Sequence, residues 1–173
     1  MTADTDGPAA SLRLPLTGGC QCGAVRYEVT AEPLTLYACH CHDCQQQSGS
    51  AFALSMILPR PALRVTTGAP QHWERPGCRT ASGTSAVCLF CAACGARLYH
   101  LPARSPGIAV LKPGTLDDTR WLDPIGHIWI KSAQPWVAIP AGLLTYEGSP
   151  PDLAALQAAW RARREARANP DDA

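Results

Sequence analysis

The sequence predicts a mainly β domain carrying one C-terminal helix. Short runs of alternating or apolar residues recur along the chain, and most gaps between them hold one of its 14 Gly or 16 Pro residues, the punctuation of an all-β domain. Seven of the nine cysteines fall into three short clusters that separate such runs. Only one segment has a strong helical period, with Leu153, Leu156 and Trp160 at i, i+3 and i+7.

Residues 1–11 are small and polar and read as a disordered tail. Gly18-Gly19-Cys20-Gln21-Cys22-Gly23 precedes a half-buried strand over Ala24–Val29. Leu34–Cys39 reads as a second strand that runs into Cys39-His40-Cys41-His42-Asp43-Cys44. Gln45–Gln47 adds a helical turn, which Ser48-Gly49-Ser50 breaks before a buried strand over Ala51–Leu58. Pro59 and Pro61 mark a turn. Further strands are expected at Leu63–Thr67, His72–Glu74, Ser85–Phe90, Arg97–His100, Ile108–Leu111 and His127–Ile130. These elements make one domain over residues 12–148. A helix over 149–168 then packs its Leu/Trp face on the sheet, with Ser149 as N-cap and Pro150 at its first position. Arg161, Arg163, Arg164 and Arg167 suit the C-terminal end of the helix dipole, and residues 169–173 fray.

No apolar run approaches the roughly 20 residues that cross a bilayer. Met1–Leu14 lacks the basic start and apolar stretch of a signal peptide, so a cytoplasmic protein is the expectation. The net charge is +1. Two zinc ions held by seven thiolates would bring it to about −2, which gives nucleic acid or an anionic membrane no bulk attraction. Clustered cysteines in such a chain point to metal or catalysis rather than disulfides, and an odd total cannot pair completely.

Two thiolates one or two residues apart in a tight turn can reach one ion, and a following glycine lets the backbone turn its N–H groups towards sulfur. Cys91-Ala92-Ala93-Cys94-Gly95 and Cys20-Gln21-Cys22-Gly23 both have this form, and together they supply the four ligands of a closed structural zinc site. Cys39, Cys41 and Cys44 supply three more, the number that leaves a catalytic zinc one open position. The same trio could be closed by His40, His42 or a distant side chain. Spacing also allows Cys20 and Cys22 to join the trio, and Cys88 to pair with Cys91. Cys91 with Cys94 is the favoured pair because only it is followed by glycine. Cys78 and Cys88 read as free or buried thiols.

Gly18–Val25, the C-x-C-x-x-C of Cys39–Cys44 with Ser48-Gly49-Ser50, and Phe90-Cys91-x-x-Cys94-Gly95 together resemble the glutathione-dependent formaldehyde-activating enzyme family, which includes centromere protein V. His127-Ile128-Trp129 with Pro135-Trp136 resembles a stretch of its bacterial members, so the likeness spans about Leu14 to Tyr146. The resemblance implies a beta-tent of folded-over antiparallel sheets stapled by zinc. It implies a structural zinc on Cys20, Cys22, Cys91 and Cys94, and a second, catalytic zinc at Cys39, Cys41 and Cys44. The implied activity is a carbon–sulfur lyase acting on S-(hydroxymethyl)glutathione.

Three thiolates leave a zinc site net negative, a poor acidifier of water but a plausible host for a substrate thiolate. Cys41 is therefore a candidate catalytic residue through the metal. His42, Asp43 and His127 are candidates to move the proton, with His127 the first choice and a packing role its alternative. His40 and His42 are expected to be exposed or to support the ligands. Ser48, Gly49 and Ser50 either face an anion or simply turn the chain. A glutathione pocket needs cations for two carboxylates, for which Lys131, Arg75 and Arg97 are candidates. Trp129 and Trp136 either wall that pocket or pack in the core. The partner is a small thiol or its adduct, glutathione among them. The competing reading is a zinc-stabilised binding module without enzymatic activity. A third is a redox sensor that uses Cys39, Cys41 and Cys44 as thiols.

Overall fold

A computed structural model describes residues 12–74, 83 and 85–168. Arg75 and Cys78 lie outside the described residues. The strands are β1 (Leu16–Gly19), β2 (Arg26–Val29), β3 (Thr35–Cys39), β4 (Ala53–Pro59), β5 (Leu63–Thr67), β6 (Gln71–Trp73), β7 (Ala86–Phe90), β8 (Arg97–Pro102), β9 (Ile108–Leu111), β10 (Gly126–Ile128) and β11 (Leu144–Tyr146). The helices are α1 (His42–Ser48) and α2 (Ala154–Ala168). The fold is mainly β, as the sequence predicts.

β1, β2 and β5 form a small antiparallel sheet in the order β1-β2-β5. The other eight described strands form a large sheet in the order β11-β10-β3-β4-β9-β8-β7-β6. Most neighbours are antiparallel, but β10 runs parallel to both β3 and β11. A tight hairpin cannot join parallel neighbours, so β10 is reached by the long connection that follows β9. Gly18 bridges to Leu116, and the Tyr27 hydroxyl meets Thr115 Oγ1 at 2.7 Å, linking the small sheet to that connection. Only glycine fits at residue 18, because a Cβ there would run into the Tyr27 ring and the Thr115 carbonyl.

β1 and β11 escape sequence reading, since four and three residues are too few to display a period. The strand expected over His127–Ile130 stops at Ile128 because Trp129 takes a left-handed backbone, φ 60°, and opens a 3-10 turn over Ile130–Ser132. α1 is longer than the expected Gln45–Gln47 turn. It begins at His42, with Cys41 Sγ accepting the Cys44 N–H at its start, and ends on left-handed Gly49.

The C-terminal helix starts at Ala154, not at the expected 149–150. Each residue before a proline is steered away from helical geometry, so Pro150 and Pro151 hold Ser149 and Pro150 out of the helix. Ser149 Oγ accepts from Trp129 Nε1 at 3.2 Å, while Asp152 Oδ1 takes the Ala154 N–H at 2.8 Å. Leu156 and Trp160 are buried, and the Leu156 carbonyl accepts from Thr35 Oγ1 on β3 at 3.1 Å. Arg163 and Arg167 reach Asp123 at 2.6 and 2.8 Å, clamping the far end of α2 to the β domain. All five β3 residues are buried: Thr35 meets α2, and Tyr37 and Cys39, which share its face of the strand, line a cavity.

Candidate functional site

The turn between β1 and β2 carries Cys20 and Cys22, and the turn between β7 and β8 carries Cys91 and Cys94. The fold brings these four sulfurs within 4.8 Å of one another, so the cluster joins the small sheet to the large one. Gly23 and Gly95 have φ of 78° and 74°, which lets each turn close behind its cysteines. Gly23 N–H reaches the Cys20 carbonyl at 3.1 Å, and Gly95 N–H the Cys91 carbonyl at 2.8 Å. The Val25 N–H points at Cys20 Sγ, 3.2 Å away. Burial would raise the Cys20 pKa, but this N–H and the thiols of Cys22, Cys91 and Cys94 bring it down to about 6.

Cys39, Cys41 and Cys44 form the second cluster, also within 4.8 Å. Cys39 ends β3, Cys41 caps α1 and Cys44 lies in its first turn. Residues two apart in an extended chain share a face, so Cys39 and Cys41 point the same way and the start of the helix swings Cys44 beside them. S–H donation from Cys39 and Cys44 pulls the Cys41 thiol down to about 2, while donation to Cys41 drives Cys39 well above the ordinary thiol range. Three packed sulfurs cannot share negative charge evenly without a cation among them.

Both clusters fit a metal ion. Tetrahedral bonds of about 2.3 Å separate neighbouring thiolates by about 3.8 Å. The sulfurs of Cys20 and Cys22 are 3.5 Å apart, those of Cys22 and Cys91 3.7 Å, and those of Cys39 and Cys41 3.6 Å. A disulfide would need about 2.05 Å, and all seven cysteines are free. Cys88 belongs to neither cluster.

The clusters differ in what they face. Cys39, Cys41 and Cys44 line a cavity of about 340 Å³, which none of the four sulfurs in the other cluster reaches. Its walls are largely apolar, with Ile57, Val110 and Ile128 from the sheet, Trp73 and Trp129 at two sides, and Leu153 from the segment before α2. Cross-strand register builds the floor: Cys88 sits opposite His100, His100 opposite Val110, and Val110 opposite Ile57. His100 faces the cavity with a buried Nδ1 that has no hydrogen-bond partner. Burial, then the charges of Lys112 and Arg97, lowers its pKa from the ordinary 6.5 to about 3, so it is neutral at pH 7.

The histidines expected near the chemistry lie elsewhere. His127 is buried opposite Ala38 on β3, one residue out of phase with Cys39, and does not line the cavity. His40, expected to be exposed or to support the ligands, is fully buried, and its Nε2 lies 2.8 Å from His127 Nδ1. Strand alternation is the cause: Cys39 and Cys41 take one face, and His40 takes the other. His42 is exposed, whereas Asp43 lines the cavity. Ser48 turns the chain, its hydroxyl bonding to the Cys44 and Phe52 carbonyls.

Of the cation candidates, Arg97 donates to Gln47 Oε1 at 2.9 Å, and Lys131 lies over the Trp129 ring, 4.9 Å from its centre. Neither lines the cavity, but Arg104 does. Trp129 is a wall of the pocket, whereas Trp136 is 75% exposed and belongs to neither pocket nor core. His100 and Arg104 have no motif to mark them, and the C-x-x-C that Cys88 makes with Cys91 points to metal ligation, not to the cavity. Only the pairing of β7, β8 and β9 brings His100 and Cys88 to the cavity, and that register is not written in local sequence.

A mainly β domain with one four-thiol cluster between its sheets and one three-thiol cluster at a cavity belongs to the class of proteins able to hold metal by cysteine. A family model described as "Glutathione-dependent formaldehyde-activating enzyme" matches residues 15–132, a span that contains both clusters. The chain is a member of that family. It is also similar to a solved structure, described as the crystal structure of a Rhodobacter sphaeroides protein, at 22% identity over 75% of this chain and 98% of that one, with a TM-score of 0.48. No helix among the described residues is long and apolar enough to cross a membrane.

Proposed function

We propose that this protein is a zinc-dependent carbon–sulfur lyase acting on a thiol–aldehyde adduct such as S-(hydroxymethyl)glutathione, working in the cytoplasm. The observation that carries this reading is the opening of the Cys39/Cys41/Cys44 cluster onto the cavity, while the four-cysteine cluster is kept away from it. Cys20, Cys22, Cys91 and Cys94 hold a structural zinc in this reading, and Cys39, Cys41 and Cys44 hold the catalytic one. When bound at the trio, zinc supplies a soft Lewis-acid position that suits a substrate sulfur in its thiolate form.

The protein's own groups supply the rest. In the synthetic direction the thiol loses its proton, sulfur bonds to the aldehyde carbon, and the carbonyl oxygen takes up a proton; the lyase direction reverses each change. That proton needs a carrier facing the cavity. Asp43, which lines the cavity beside the trio, is the candidate so placed, because His127 is engaged with His40 on the opposite face and His100, held neutral by burial, takes up a proton only well below pH 7. The apolar walls exclude water from the reacting carbon, and Trp129 confines the adduct beside the trio.

The test measures adduct formation and breakdown with zinc-loaded protein across several thiols, subtracting the uncatalysed thiol–formaldehyde rate. Acceleration over buffer that disappears in a Cys41→Ala variant is the expected result. Rates equal to buffer, with no thiol taken up at the metal, would instead leave a zinc-stabilised binding module.

A further inference from the structure

Lys112 follows β9 directly, and its N–H continues the β8–β9 ladder to the Leu98 carbonyl at 2.8 Å. Its own carbonyl accepts from Thr115 N–H at 3.0 Å and Thr115 Oγ1 at 2.8 Å. Thr115 is held in turn by Tyr27, so the backbone at Lys112 is fixed from both sheets. The side chain ends in a buried ammonium nitrogen with no hydrogen-bond partner. A buried cation without a partner is strongly disfavoured unless negative charge stands near it. Burial lowers the Lys112 pKa and Arg97 adds to that, while the charges of Cys44, Cys39 and Cys88 act the other way and favour the ammonium form. Val110, two residues earlier and on the same face of the extended chain, lines the cavity together with the trio, and no sulfur is close enough to the Lys112 nitrogen to bond to it directly.

We propose that Lys112 is a positioning residue of the three-cysteine site, a buried cation that offsets its negative charge and so allows a fourth, anionic sulfur to bind. This rests on the lyase reading above. Three thiolates around a dication leave the site one unit negative, and a substrate thiolate makes it two. Arg97 shares the region, but its Nη2 is committed to Gln47, whereas the Lys112 nitrogen has no hydrogen-bond partner. The proposal explains why an ammonium is retained in a position that hydrophobic packing would otherwise fill.

The test uses full-length protein loaded with cobalt(II), whose sulfur-to-metal absorption rises with each added thiolate. The probe is 2-mercaptoethanol, which has no carboxylate, so any effect of residue 112 comes through the metal-bound sulfur and not through a salt bridge to the ligand. Wild type should show a saturable spectral change that Cys41→Ala lacks. Lys112→Met, a change of similar shape, should weaken this uptake by about tenfold or more. Lys112→Arg, which keeps the charge, should recover most of the loss. The zinc-loaded Lys112→Met protein should melt no lower than wild type, because a buried unpartnered charge has been removed; a purely structural lysine would instead lower the melting temperature and leave thiol affinity alone. Equal thiol affinity in wild type and Lys112→Met would overturn the role of Lys112 while leaving the lyase reading in place. No spectral response in wild type itself would overturn both.

Discussion

His40 Nε2 and His127 Nδ1 lie 2.8 Å apart, their rings inclined by only 22°, on the side of β3 that faces away from the cavity. Phe52 packs against both rings. The carbonyl of His40 accepts from Gln45 Nε2 at 2.7 Å and from Ser132 Oγ at 3.1 Å, which ties α1 to the turn after β10. The pair therefore braces the chain between two cysteines of the trio, Cys39 and Cys41, without lining the cavity.

Replacing His127 with Ala should leave His40 Nε2 buried and unpaired, at a cost of about 1–3 kcal/mol. The expected outcome is a lower denaturant midpoint with thiol uptake at the trio retained wherever the variant is folded. Turnover lost at unchanged stability would return His127 to the reaction.

Replacing Cys94 with Ser should remove one ligand of the cluster that links the two sheets. Metal binding at such a site is itself folding free energy. The variant should lose one equivalent of metal, and its thermal transition should fall sharply or vanish. Metal analysis alongside calorimetry checks this, and a variant that keeps both ions and its wild-type melting point would contradict it.

The two cysteine clusters were legible because metal ligation imposes local spacing: turns that end in Gly23 and Gly95, and a trio within six residues, are written in consecutive letters. Strand cores such as Leu63–Thr67 and Ile108–Leu111 were legible for the same reason, being bounded by turn residues. His127 falls on the opposite face from Ile128, which lines the cavity, because a one-residue phase decides the face. His100 and Lys112 were silent because each owes its setting to β8 and β9 pairing within a sheet that crosses over the chain order. The shortened start of α2 shows local signals in competition: Ser149 is a good cap, but the two prolines after it forbid the geometry, and Asp152 takes over.

A pH dependence follows from His100. Burial and the neighbouring cations hold its folded pKa near 3, against an ordinary 6.5. Between those values the unfolded chain binds a proton that the folded chain refuses, so this residue's contribution is intact above about 6.5 and is lost as pH falls towards 3. One such proton steepens the dependence by up to about 1.4 kcal/mol per pH unit. Thiolate protonation also destabilises the protein in acid, but His100→Gln leaves the cysteines in place. Denaturation of wild type and His100→Gln from pH 7 to pH 5 should therefore give a shallower decline in the variant. Parallel curves would mean that His100 accepts its proton in the folded state near the ordinary pH.

Separation of the two clusters makes the sharpest prediction about activity. Cys41 touches the cavity, accepts S–H from Cys39 and takes the Cys44 N–H on its sulfur, so it sits at the centre of the trio. None of its partners belongs to the cluster that joins the sheets. Cys41→Ala should therefore lower metal content from two equivalents towards one and abolish adduct turnover. The small sheet should remain tied to the large one by Cys20, Cys22, Cys91 and Cys94, while the N-cap of α1 loses its acceptor. Loss of such a cap costs about 1 kcal/mol, so a modest fall in melting temperature is expected rather than unfolding. Metal analysis, calorimetry and initial rates on one preparation separate the cases. If the variant retains one ion and a cooperative transition but no activity, the chemistry belongs to the trio. If it turns over adduct at the wild-type rate, the trio is a second structural site and the reaction lies elsewhere.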